Sequence, residues 1–169
     1  YIKPMINPEI LREYDIRGIY EKSLTLNDVT KIALSITKIL INNKSPNIII
    51  GHDGRVSSLK IKNTLIENFT TYGIEVIDIS LIPTPLSYFS SKCYEIPNLI
   101  MITGSHNPKE YNGLKMIINN NPFFGKSIKS LNEVDVSTLI KKSGSVKFQN
   151  PLIRYQNEIL NRFSNINKL

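Results

Sequence analysis

The sequence predicts an α/β domain of three layers: a mixed, mostly parallel sheet of about four strands with helices on both faces. Short, largely apolar runs at residues 48–50, 76–79 and 99–102 have the length and composition of strands buried on both sides. The stretches between them carry apolar residues at helical spacing. Strand and helix therefore alternate over short links, which gives right-handed crossovers and a parallel core. With 169 residues, 41% of them hydrophobic, the chain is long enough for one domain with a substantial core.

Residues 14–20 read as an extended segment with Gly18 at a bend. Thr25 stands where an N-cap belongs, with Asp28 three residues on. Val29, Ile32, Ala33, Ile36, Ile39 and Leu40 follow at helical spacing, so a helix is expected over about 26–42. Pro46-Asn47 leads into the first buried strand, 48–50. Ser57 or Ser58 is expected to cap a second helix that turns Leu59, Leu65, Ile66 and Phe69 inward. That helix ends near Tyr72-Gly73, with Gly73 in the left-handed conformation. Residues 75–79 form the next strand. Pro83-Thr84-Pro85 then breaks the chain, and Thr84 opens a short helix to about Tyr94, with Pro85 in its first turn.

Leu99–Ile102 is a third buried strand. Residues 115–118 follow it too closely for a crossover and should run antiparallel to it. Helical character returns from Ser127 to about Lys142, with Leu131, Val134, Leu139 and Ile140 apolar. Ser143-Gly144-Ser145 reads as a linker, and residues 152–160 as a short helix that needs another surface to pack on. The expected division is a domain over 1–145 and a connecting segment over 146–169.

Cys93 is the single cysteine. It excludes an internal disulfide framework and favours a reducing, cytoplasmic setting. No apolar run has the length of a membrane span and no secretory leader pattern opens the chain, so no membrane association is expected. The 21 Lys plus Arg against 14 Asp plus Glu give a net charge of +7, which favours anionic partners. The lysines are scattered and lack interleaved aromatics, so a nucleic acid is not among those partners.

In open parallel sheets, ligands gather beyond the carboxyl ends of the strands. Three loops leave such ends: Gly51-His52-Asp53-Gly54-Arg55, Pro83-Thr84-Pro85 and Thr103-Gly104-Ser105-His106-Asn107-Pro108. The first and third are polar and glycine-bearing, suited to holding a phosphate. Taken alone, the third is also an ordinary turn composition. Arg17 and Lys115 reach the same rim if the first extended segment lies beside it. The chain has no Walker loop, no Gly-x-Gly-x-x-Gly element and no clustered Cys and His. It also lacks the Gly-x-Ser-x-Gly elbow, which disfavours a serine hydrolase.

The ordered motifs Arg12-Glu13-Tyr14-Asp15-Ile16-Arg17-Gly18, Gly51-x-Asp53-Gly54-Arg55, Pro83-Thr84-Pro85, Thr103–Pro108 and Tyr111-Asn112-Gly113-Leu114-Lys115 resemble the first domain of the α-D-phosphohexomutases. The bacterial phosphomannomutase/phosphoglucomutase type is the nearest subgroup, and phosphoglucosamine mutases fit less well. The resemblance covers residues from about 9 to 160. It implies an intramolecular phosphotransferase that interconverts hexose 1-phosphate and 6-phosphate, of mannose or glucose, through a bisphosphate. Ser105 matches the family's phosphoserine and would place a phosphate oxygen on Mg²⁺. Lys115 matches the lysine assigned to proton transfer, and Arg17 would neutralise the phosphoryl group. Tyr14 would brace that arrangement, and His106 and Asn107 would orient the Ser105 loop or its phosphate. Arg55 stands on the phosphate side with Asp53, as support for that loop. Family members carry further mutase domains that supply the other Mg²⁺ ligands, so the isolated chain is expected to lack turnover. A stand-alone sugar-phosphate-binding module, or one part of a split mutase, is the alternative reading.

Overall fold

The computed structural model describes residues 5–163. Its elements in order are β1 (Ile16–Ile19), α1 (Leu26–Asn42), β2 (Asn47–His52), α2 (Val56–Thr71), β3 (Glu75–Leu81), α3 (Thr84–Cys93), β4 (Leu99–Ile102), β5 (Tyr111–Ile118), β6 (Asn121–Pro122), α4 (Lys126–Lys129), β7 (Ser145–Phe148) and α5 (Leu152–Phe163). The sheet runs β1-β5-β4-β2-β3-β7, with β6 paired to β5. Strands β4, β2, β3 and β7 are parallel neighbours, whereas β5 is antiparallel to β4, β1 and β6.

Alternation along the strands divides the core into two layers. Ile48 and Ile50 of β2 pack with Ile32, Ile36 and Leu40 of α1 and with Ile61, Leu65 and Phe69 of α2. Ile49, one residue out of phase, packs on the opposite face with Leu86 of α3 and with Ile77 and Ile79 of β3. Each such side chain, fully buried, contributes about 1.5–3 kcal/mol of transfer free energy, so a sheet apolar on both faces must be covered on both.

Local signals set α1 as expected. The Thr25 hydroxyl accepts from the Asp28 amide and the Asp28 carboxylate accepts from the Thr25 amide, closing a complete capping box. Gly73 ends the second helical stretch at φ 84°, the left-handed value read from the sequence.

Elsewhere the structure corrects the sequence reading. The sheet has seven strands rather than about four, because β1, β6 and β7 are short additions at its margins. Gly18 lies inside β1, opposite Asn112, and not at a bend. A Cβ there would sit 2.8 Å from Ile10 Cγ2 and 2.9 Å from Leu24 Cβ, so close packing explains the glycine. Arg55, not Ser57 or Ser58, is the N-cap of α2, and it makes no side-chain cap bond. Leu59 faces solvent, and Ile61 takes the core position assigned to it.

The helix expected over 127–142 stops after α4 and a 3-10 turn, Ser130–Glu133. Leu131 is buried, but Ile140 is exposed. Residues 143–145, read as a linker, lead into β7 instead: the Gly144 amide donates to Thr70 O at 2.7 Å, and β7 pairs with β3. Helix α5 buries none of its residues fully. Tyr155 meets Phe89 of α3 edge-on at 5.2 Å, while Ile153, Leu160 and Phe163 stay exposed. Among the described residues, no helix is long and apolar enough to cross a membrane.

Candidate active site

The registers of β2 with β3 and with β4 bring Leu81, His52 and Ile102 to one edge of the sheet. The loops carrying Asp53-Arg55 and Ser105 leave from that edge. Lys115 of β5 pairs with Met101 of β4, and Arg17 of β1 pairs with Gly113 of β5. Three segments distant in sequence, around Arg17, around Asp53-Arg55 and from Ser105 to Lys115, therefore converge.

Ser105 is exposed and holds φ at 53°, in the left-handed region that residues with a Cβ seldom occupy. Its amide donates to Thr103 Oγ1 at 2.9 Å. Its hydroxyl lies 3.4 Å from His106 Nδ1. The hydroxyl thus stands clear of the loop, with one neighbouring imidazole.

Arg17 is 5% exposed. Its Nη1 donates to Gly104 O at 2.8 Å and to Asn107 Oδ1, and its Nη2 pairs with Asp15 Oδ2. The same Asp15 oxygen accepts from Lys115 Nζ at 3.2 Å. One carboxylate therefore orders two cations beside the serine loop. In this arrangement Arg17 binds the loop rather than presenting a free fork. The sequence offers Asp15 only as one member of the Arg12–Gly18 motif. The signal that would have found its role is spacing: Asp15 and Arg17, two apart on an extended chain, share one face.

Arg55 commits all five of its N–H groups within the protein. Nε donates to Asp53 Oδ2 at 3.1 Å. Nη1 donates to Pro108 O and Tyr111 O at 2.6 and 3.0 Å, and Nη2 to Ser105 O and Asn107 O at 3.0 and 2.7 Å. No donor remains for a phosphate, so the support reading of Arg55 fits its geometry and the phosphate-binding one does not. Gly104 makes room for it, since a Cβ there would overlap the guanidinium.

Asp53 anchors both neighbours: Oδ1 accepts from the Arg55 amide and from the Ser58 hydroxyl at 2.6 Å, and Oδ2 also accepts from the Gly104 amide. Burial pushes the Asp53 carboxyl up. The bonds from Ser58, Arg55, Thr103 and Gly104 outweigh burial and leave it below the ordinary carboxylate value. A depressed folded-state value means stability that is present above the unfolded value of about 4 and is lost as pH falls through the folded one. Asp53→Asn is therefore expected to destabilise the protein at neutral pH. The gap to the parent should narrow below pH about 4 in urea unfolding curves. A gap that is constant with pH would contradict the assignment.

The remaining sequence candidates are placed as follows. Tyr14 is 79% exposed and shares a groove with Lys115, Tyr88 and Phe124. His106 is exposed, and Asn107 is tied to both arginines. His52, given no role, bonds Asp53 O through Nδ1. Asn112, a member of the Tyr111–Lys115 motif, is fully buried and donates to Ser57 Oγ and Ser58 Oγ, joining β5 to the start of α2. Among the described residues, no three Asp, Glu, His or Cys side chains gather as a metal site.

Comparison with known proteins adds the following. The sequence model of the family described as phosphoglucomutase/phosphomannomutase, alpha/beta/alpha domain I, matches residues 8–136. A phosphomannomutase/phosphoglucomutase of Pseudomonas syringae pv. tomato is 33% identical over 159 residues, covering 94% of this chain and 34% of that protein. A probable phosphoglucosamine mutase of Thermococcus gammatolerans is 40% identical over 101 residues, 60% of this chain and 22% of that one. A crystal structure of a phosphoglucomutase/phosphomannomutase family protein from Burkholderia thailandensis superposes with a TM-score of 0.85 at 26% identity. It covers 93% of this chain and 36% of its own. The chain thus spans about a third of the length of the relatives it matches.

Proposed function

We propose, since this chain belongs to the phosphoglucomutase/phosphomannomutase family, that it forms the phosphoserine-bearing first domain of a hexose-phosphate mutase. The observation that carries this reading is Ser105 itself. Its hydroxyl is exposed in a left-handed turn at the carboxyl edge of the sheet, on a loop fastened by two arginines. A serine that must receive and return a phosphoryl group needs this combination of access and fixed position.

In the proposed reaction the bond between phosphorus and Ser105 Oγ breaks as phosphorus bonds to a hydroxyl oxygen of mannose or glucose phosphate. The net proton moves from the sugar hydroxyl to Ser105 Oγ, and Lys115 is the residue assigned to carry it. In the reverse half-reaction the other phosphate of the bisphosphate returns to Ser105. Phosphoryl transfer depends chiefly on positioning and charge stabilisation. Arg17 supplies fixed positive charge under the loop, His106 and Asn107 steady its outer side, and Tyr14 stands at the rim of the neighbouring groove.

Mg²⁺ is part of the proposal through the family alone. The donors here do not make a Mg²⁺ site, because such a site needs several oxygen ligands. Asp15 and Asp53, whose partners hold the loop, are already paired with Arg17, Lys115 and Arg55. A Ser105 phosphate oxygen would be this domain's contribution, and the remaining ligands would come from another part of the polypeptide.

The exposed apolar residues of α5 favour a neighbouring mutase domain over a stand-alone binding module. We place the boundary after β7, because a cut between 145 and 146 divides a sheet strand. The test is to incubate the full polypeptide with hexose 1,6-bisphosphate and map phosphorylation by intact mass and peptide sequencing. Phosphate on Ser105 is expected, with no turnover by the isolated 169-residue chain. Folded full-length protein that takes no phosphoryl group at Ser105 from either the glucose or the mannose compound would refute the reading.

A further inference from the structure

We infer that Arg55 is a positioning residue whose guanidinium holds Ser105 in its left-handed conformation. The inference rests on the reading of Ser105 as the phosphoryl carrier. At φ 53° Ser105 occupies a conformation that its Cβ disfavours, and two bonds within the loop, from its amide to Thr103 Oγ1 and from the Asn107 amide to Gly104 O, shape the turn. The larger set of bonds comes from outside the loop. Nη2 of Arg55 bridges the carbonyls of Ser105 and Asn107, and Nη1 bridges those of Pro108 and Tyr111. Four carbonyls that straddle the turn thus converge on one rigid plane.

Two further features fix that plane. Asp53 takes Nε and, through its other oxygen, the Arg55 amide, so the fork is held at both its stem and its backbone. Gly104 leaves the space in which the guanidinium lies. Arg17 acts at a different place, on Gly104 O and the Asn107 side chain, and does not substitute for these bonds. Lysine cannot substitute either, because an ammonium is a point with three donors and not a planar fork with five.

The experiment uses the full polypeptide, with Arg55→Lys, Gly104→Ala, Ser105→Gly and the Arg55→Lys/Ser105→Gly double variant. Hydrogen–deuterium exchange over 104–111 is expected to quicken about tenfold in Arg55→Lys, with β2 and α1 unchanged. Gly104→Ala should do the same, since it displaces the guanidinium while leaving the arginine in the sequence. Ser105→Gly should be more favourable in the parent than in the Arg55→Lys background, by about fivefold in the unfolding constant. The unfolded-state cost of glycine is common to both backgrounds and cancels. Rates of Ser105 phosphorylation by hexose bisphosphate should fall in Arg55→Lys.

Unchanged exchange together with an uncoupled cycle would overturn the inference. If both physical effects appear but the parent takes no phosphoryl group, the mutase reading falls and the positioning role stands. If the parent is phosphorylated, and Arg55→Lys equally fast, the reading stands and the inference falls.

Discussion

Ser105→Ala is expected to lower the proposed mutase turnover of the full polypeptide by roughly 10³-fold or more, with little change in its unfolding midpoint. The second half of that statement follows from position. The Ser105 side chain is exposed, and its hydroxyl makes one long contact, to His106. The bonds that hold the loop go to the backbone of residues 104, 105, 107, 108 and 111 and to Asn107, all of which Ala leaves in place. Alanine bears the same left-handed strain as serine, so folding stability should hardly register the change. Turnover within tenfold of the parent would show that Ser105 is not the phosphoryl carrier. A large loss of stability would show instead that the hydroxyl is structural.

The second large effect is on stability. Gly113 of β5 faces Arg17 across the β1–β5 ladder, and a Cβ at that position would overlap the carbonyl oxygen of Ile16 and lie 2.9 Å from Arg17 Nε. The obstruction is backbone, which cannot rotate away as a side chain can. Gly113→Ala should therefore destabilise the protein by about 3 kcal/mol, at the upper end of overpacking effects, and should draw β1 away from the sheet. Arg17 rides on β1, so its bonds to Gly104 O and Asn107 should be lost together. Urea unfolding gives the first quantity, and exchange of the 16–19 and 104–107 amides gives the second. A cost below about 1 kcal/mol would mean that β1 contributes little to the sheet.

These two residues also show what could be read from sequence. The place of the Ser105 loop was legible because it lies between a buried strand and a paired one, with further motifs in a fixed order. Helix α1 was legible to its ends because its cap and its apolar stripe are local. Gly113 belongs to a motif, but its reason, the approach of Ile16, depends on a pairing across almost a hundred residues that no local period reveals. Arg55 was placed beside the loop, yet its five acceptors could not be foreseen, because four are backbone carbonyls oriented only by the folded turn.

The same limit explains the missed strands. Residues 145–148 carry a linker composition at their start and become β7 through pairing with β3. The apolar spacing over 127–142 suggested a helix, but Gly125, at φ 56°, sends its amide to Glu13 O at 2.7 Å. Val134 then turns extended at ψ 124°, and the chain wraps along the domain instead of coiling.

Strand β7 has one more implication, for handling this 169-residue chain on its own. It forms one end of the sheet order, with Val146 and Phe148 exposed. An open strand edge with apolar residues is a template on which another copy can add a strand, the usual start of edge-to-edge aggregation. Lys147 lies between the two apolar residues and places a charge on that edge, a device that discourages such pairing. The isolated domain should accordingly lose solubility as salt screens that charge, so low ionic strength is the condition in which to keep it monomeric.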